Sequence, residues 1–357
     1  MGYYGEVCMI NDDDTTGGAM PKGRWRLPEW LISLVSGARD AGLSAGDASS
    51  RHAADKDEGD AAYDSPVDAA AAGTAHPMLV DELTVHPEPA EFPWFDPDAY
   101  LRRISYEGSL APDEATLRAL HLTHLAAVPF ENLDIHLGRP IILEEERIYS
   151  KIVRGRRGGF CYELNCGFAL LLRALGYNVT LLSAGTYDGE NFGPEFDHMT
   201  LLVHHERRWL VDVGFGDAFA EPLLLDEPEE QTQRSGRYRI ENAAGLRTLL
   251  HHTDGRWVPL HRFTLRPRRL SDFAGMCDFH QLSPDSPFPR RWFCSRLAPE
   301  GRITVTARRL RRMVGDERID IDFAGPEEAL DALRVHFGID LRGRDLPVPG
   351  PEPASVG

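Results

Sequence analysis

One cysteine, Cys161, stands in "RRGGFCYEL" (residues 156–164), behind two arginines and two glycines and at the start of a segment with helical periodicity. A free thiol titrates near about 8.5, and a helix N-terminus with a cationic neighbour can bring it to roughly 3.5–7.5, so that a thiolate nucleophile becomes available. The bland alternative is a small buried hydrophobe, and what separates the two is a base. "FDHMTLLVHHERRWLVDVGFG" (196–216) supplies a candidate. Folded as a hairpin with its turn centred on His205, it puts His198 and Asp212 directly opposite one another, on one face and within hydrogen-bonding reach. An Asp that orients a His that deprotonates a Cys is the logic of a catalytic triad, set by geometry rather than by chain order. A structural histidine fits the same spacing, and on spacing alone both readings stand. The Cys161 backbone N–H, at a helix start, is a natural oxyanion donor.

These three residues need a helix that opens at Cys161 and a hairpin that carries the other two. "CYELNCGFALLLRALGY" (161–177) predicts a helix of about four turns ending near Gly176. Upstream, "FDPDAYLRRI" (95–104) and "DEATLRALHLTHLAA" (113–127) read as capped amphipathic helices, the second with Asp113 at its N-cap, and "VPFENLDIH" (128–136) as an extended or turning connection. After residue 177 the period shortens to that of strands: 178–187, 198–205, 208–215, 236–243, 245–252 and 255–265. That succession predicts an antiparallel barrel or curled sheet. Further strands are expected in 302–315 and 317–323, then a closing helix over 326–339.

Composition bounds the rest. A chain of 357 residues with a 42% hydrophobic share can bury more than one core. The net charge of -17 is uneven: residues 1–92 hold 17 acidic against 6 basic side chains, so -11 belongs to the first quarter. The mildly acidic remainder has no basic stripe, which argues against a nucleic-acid surface. Segment 1–92 is rich in Ala, Asp, Ser and Gly and reads as a largely disordered extension, with one helix candidate at 26–43 and alternative starts at Met20 and Met78. Removing residues 1–77 is expected to leave activity intact. The five cysteines are odd in number and lack C-x-x-C spacing, which argues against a disulfide scaffold or a zinc site. With no basic-then-apolar leader and no apolar run near the roughly 20 residues of a membrane span, a cytoplasmic protein without a membrane role is expected.

"RRGGFCYELN", the preceding "VPFENLDI" and "HMTLLV…WLVDVGFG" together resemble the arylamine N-acetyltransferase family, from about Tyr100 to Ile339. The resemblance carries the catalytic roles to Cys161, His198 and Asp212. It implies an α+β fold: an N-terminal helical bundle (93–178) carrying the Cys, a central antiparallel β-barrel (179–292) carrying His and Asp, and a C-terminal α/β lid (293–345). A cysteine-protease-like Cys-His-Asp core lies within it, and residues 346–357 form a disordered tail. It further implies ping-pong transfer from acetyl-CoA, a cosubstrate rather than a resident cofactor, to an arylamine or hydrazine through an acetyl-cysteine. In that pattern Arg157 and Glu131 form a supporting ion pair, and Phe130 and Phe215 line the acceptor pocket.

Two other activities share these residues. An amide synthase of the same family would close a macrolactam from a carrier-bound polyketide. A Cys-His-Asp hydrolase has the same helix-start cysteine, although "PFENLD" and "DVGFG" favour the transferase. Other signals read as structural. His121 and His124 have metal-like spacing but no evident third ligand, so no metal site is expected, and both should pack on a helix. His204–His205 and His251–His252 are expected at turns. Cys166 falls about 140° around the helix from Cys161 and is no redox partner for it.

Overall fold

Backbone donors at a helix start lack intrahelical partners, and short acidic side chains supply them. The computed structural model describes residues 93–343 and Leu346, with Asp217 and Asp316 excepted. The expected extension, its 26–43 helix, both alternative starts, Cys8 and the tail from residue 347 lie outside those residues. Asp96 accepts from the Ala99 amide at 3.0 Å and opens α1 (Pro97–Ile104). Asp113 accepts from Thr116 at 2.8 Å and opens α2 (Glu114–Ala127). The connection that follows holds a two-residue strand, β1 (Phe130–Glu131), and one helical turn, α3 (Leu133–His136). After α4 (Glu145–Tyr149), a wider turn over Ser150–Arg154 leads into α5 (Cys161–Ala174). The first twelve residues of α5 are all buried, as befits a helix packed on every side. It stops before Gly176, which takes a φ of +92° that favours glycine.

The strands then close most of a barrel. β2 (Asn178–Thr186), β3 (His198–His205), β4 (Arg207–Val211), β5 (Leu223–Leu224), β6 (Gln231–Gln233), β7 (Gly236–Ala243), β8 (Leu246–Thr253) and β9 (Arg256–Phe263) form one antiparallel sheet in the order β5-β4-β3-β2-β9-β8-β7-β6. Leu182, Leu210, Phe219, Leu249 and Leu260 fill its interior. Beyond it, β10 (Phe293–Ala298), β11 (Gly301–Thr306), β12 (Arg309–Val314) and β13 (Glu317–Asp322) form a second sheet. The edge of that sheet is β1, through Phe130↔Ser295 and Glu131↔Cys294. The closing helix, α7 (Pro326–Phe337), lays Leu330, Leu333 and Phe337 on it. The fold is α+β, as expected. No described helix is long and apolar enough to cross a membrane.

Three local readings are corrected. The β3–β4 turn centres on Glu206, not His205: Glu206 takes a φ of +51°, and the register runs Leu201↔Val211 to His205↔Arg207. His251 and His252 lie inside β8, opposite Val258 and Trp257, because the turn is formed by Asp254 and Gly255, both at positive φ. Residues after Phe263 leave the strand pattern for α6 (Ala274–Leu282), an unanticipated helix whose only buried residues are Cys277 and His280.

Candidate active site

Cys161 is the first residue of α5 and 2% exposed. The glycines before it serve close packing rather than an unusual backbone angle. A Cβ on Gly158 would lie 1.8 Å from the Pro129 carbonyl oxygen, and one on Gly159 would lie 2.5 Å from Glu163 Oε2. Glu163 also accepts the Phe160 amide at 3.2 Å, which fixes the entry into the helix. The arginines do not face the thiol. Arg157 lies 2.7 Å from Glu131 Oε1 and 3.1 Å from Asp134 Oδ1, while Lys151 bridges Asp134 and Glu163 at 2.9 and 2.8 Å. These five charges clamp the segment before Cys161 against β1 and α3. Buried ion networks of this kind hold geometry more than they add stability.

His198 and Asp212 meet across β3 and β4: His198 Nε2 lies 2.6 Å from Asp212 Oδ2, with both side chains fully buried. They are diagonal neighbours rather than directly opposite, since the turn sits one residue later than expected. A partner shift of two residues preserves the face each side chain occupies, and so the meeting survives the error in register.

Asn165, one turn after Cys161 and on the same helix face, ties the helix to that pair. Its Nδ2 donates to Asp212 Oδ1 at 2.9 Å and to the Met199 carbonyl at 2.6 Å, and its Oδ1 accepts the Val213 amide at 3.0 Å. Asp212 Oδ1 also accepts from the Gly214 amide at 2.9 Å. Gly214 itself lies against the helix start, where a Cβ would come within 2.8 Å of Cys161 Cα. From α2, His121 Nδ1 reaches the Ala220 carbonyl at 2.9 Å and Nε2 meets the Asp212 amide at 3.3 Å. Burial pushes His121 down to about 4, so it is neutral. Nδ1–H then donates to Ala220, and Nε2 accepts from Asp212.

Burial also pushes the Cys161 thiol well above its ordinary value, and the Asp212 and Asp197 charges add to this, against a hydrogen bond from the Met199 amide. The helix start therefore does not by itself make a thiolate; a proton acceptor is required. For Asp212, burial works upward, but the His198 charge and hydrogen bond and the Asn165 amide hold the carboxyl below the usual carboxylate range.

The two aromatic candidates part company. Phe215 is half-buried and edge-on to His198, with ring centroids 5.1 Å apart. Phe130 is 6% exposed and stacks on Phe293 at 5.5 Å, within the core. Facing His198 from β9 is a residue the motif reading passed over, His261, fully buried at 5.4 Å between ring centroids and pushed by burial down to about 3.

Residues 113–346 match the family described as N-acetyltransferase. A pineal-gland arylamine N-acetyltransferase of Gallus gallus is 34% identical over 277 residues, covering 70% of this chain and 96% of that protein. The chain belongs to the arylamine N-acetyltransferase family. It is an acyltransferase. Among solved structures, a Mycobacterium smegmatis N-arylamine acetyltransferase matches with a TM-score of 0.66 at 32% identity, over 71% of this chain and 96% of that one. A Mycobacterium marinum arylamine N-acetyltransferase in complex with CoA matches with a TM-score of 0.64 at 29% identity, over 68% and 93%. Asn165 closes the quoted "RRGGFCYELN" and could have been singled out there as a polar side chain four residues after the cysteine, on the same helix face. His261 carried no comparable signal, and the spacing of His121 from His124 pointed to a metal rather than to Asp212.

Proposed function

We propose that this acyltransferase moves an acetyl group from acetyl-CoA to the nitrogen of an arylamine or arylhydrazine, through an acetyl-Cys161 intermediate. The observation that carries the reading is the buried His198–Asp212 contact at 2.6 Å, tied by Asn165 to the helix that opens at Cys161. A relative solved with CoA supports the choice of donor.

The burial of the thiol dictates the order of events. A lone thiolate is costly here, so the proton leaves sulfur only as His198 takes it, and Asp212 stabilises the imidazolium that forms. The sulfur attacks the thioester carbonyl carbon. The new C–S bond forms, the bond to CoA sulfur breaks, and CoA departs with the proton from His198. The Cys161 backbone N–H faces the developing oxyanion. In the second half, the amine nitrogen attacks the acetyl carbon, His198 accepts its proton and returns it to the Cys161 sulfur, and the C–S bond breaks as the amide forms. Asn165 and His121 act on this chemistry by holding Asp212, and Arg157 with Glu131 by holding the segment before Cys161. Phe215 forms the wall met by the incoming aromatic ring.

Initial rates measured over a grid of acetyl-CoA and aniline concentrations test this reading. Parallel double-reciprocal lines are expected. Intersecting lines would remove the acyl-enzyme, and absence of any transfer from acetyl-CoA would favour the amide synthase that uses a carrier-bound donor.

A further inference from the structure

His261 has no task in that reaction, yet it is placed where a task exists. It pairs with Thr186 of β2 and Leu249 of β8, and neither of its ring nitrogens has a hydrogen-bond partner, although the residue is fully buried. His198 Nδ1 is likewise unpartnered. A buried ring nitrogen withdrawn from water without a partner is destabilising, so each of these atoms calls for one. One donor atom each from His198, Asp212 and His261 lies within 4.8 Å of the others, the only such trio of His, Cys, Asp or Glu among the described residues.

We propose that His198, Asp212 and His261 form a capture site for a borderline divalent transition-metal ion, Zn2+ being the simplest case, and that the captured ion shuts off acyl transfer. Two imidazoles and a carboxylate are a donor set that zinc uses where a fourth position stays open. Zinc–nitrogen bonds of roughly 2.0–2.1 Å put neighbouring ligand atoms about 3.3 Å apart. His198 Nε2 and Asp212 Oδ2, 2.6 Å apart, therefore open slightly while His261 draws in, both within reach of side-chain rotation. One carboxylate beside two imidazoles is a donor set that suits a dication, and a water can complete a four-coordinate shell. Once the lone pair of His198 and an oxygen of Asp212 are on the metal, the imidazole cannot take the Cys161 proton. Metal capture stands on geometry alone; the loss of activity rests on the proposed function.

The test uses the full chain, freed of metal, as wild type, His261→Phe, His261→Gln and Cys161→Ser. Phe215 and Phe263 lie 5.2 and 5.5 Å from the His261 ring, so an aromatic replacement keeps like neighbours. Zn2+ binding is read by calorimetry and Co2+ binding by its visible bands. Wild type and Cys161→Ser should bind one ion with the bands of a four-coordinate site. Both His261 variants should bind about tenfold or more weakly. With acetyl-CoA and aniline, Zn2+ should inhibit wild type, and His261→Phe should keep its metal-free rate while needing about tenfold more Zn2+ for the same inhibition. Binding that survives in both His261 variants but vanishes in Cys161→Ser would assign the ion to the thiol and overturn the proposal. So would wild type that binds no Zn2+. Should acetyl transfer itself be absent, the calorimetric and Co2+ measurements still decide whether the site exists.

Discussion

Replacing Asn165 by alanine separates a scaffold from a working part. The side chain is fully buried and makes three hydrogen bonds, one of them to the Asp212 carboxylate. Its removal leaves the Met199 carbonyl and the Val213 amide without that partner, whereas Asp212 Oδ1 keeps the Gly214 amide. Two neutral groups at about 1–2 kcal/mol each and one charge-assisted bond at about 1.5–3 kcal/mol give a loss of roughly 3.5–7 kcal/mol. In a folded unit of this size that lowers Tm by roughly 7–28 °C. If the Asp212 bond is worth its full share in the transition state, the acylation rate falls about 10- to 150-fold, since each 1.36 kcal/mol is about a factor of ten. Single-turnover acetylation by acetyl-CoA, followed by intact mass well below the variant's Tm, isolates this step. A variant that loses stability but acylates within about twofold of wild type would show that Asn165 holds the fold together and does not hold Asp212 for catalysis.

Two further outcomes follow from the same contacts. Gly214→Ala drives a Cβ to within 2.8 Å of Cys161 Cα, so acylation should fall by about tenfold or more, whereas Gly275→Ala, with nothing within 4 Å, should be silent or add about 0.5–1 kcal/mol of stability; equal rates in the two variants would refute the packing argument. His121 and His261 are pushed by burial to about 4 and about 3, below an unfolded value near 6.5. The folded state thus binds fewer protons than the unfolded one. Their contribution is whole above pH 6.5 and erodes as pH falls toward the folded values, by about 1.4 kcal/mol per unit each, or roughly 2 kcal/mol each by pH 5. Asp212, depressed below the carboxylate range, loses its share only at lower pH and does not confuse this window. Urea unfolding at pH 7.5 and pH 5 should show the fall, and a flat response would contradict the buried neutral state of these rings.

What the sequence yields depends on whether the signal is local. The helix from Cys161 is legible because its apolar run and the Gly176 stop lie within one window. The His198–Asp212 meeting is legible because strand periodicity is two, and so an error of one residue in the turn centre moves a partner by two and leaves the face unchanged. The turn itself was misplaced because Glu206 adopts a left-handed angle without the glycine or asparagine that advertises one. Conversely, β1 finds its partner Ser295 some 165 residues away, and α6 presents too weak an apolar stripe to stand out. The electrostatics were least legible. Next to Cys161 in sequence, Arg157 reads as an activating cation, but in three dimensions Glu131 and Asp134 claim it, and desolvation sets the thiol instead.

The central claim is that Cys161 carries the acetyl group. Intact mass of the purified protein after mixing with acetyl-CoA and no amine, beside Cys161→Ser, tests it most directly. Wild type alone should gain one acetyl group and lose it when an arylamine is added. A folded wild type that gains nothing, or a Cys161→Ser variant that gains the same acetyl group, would contradict it.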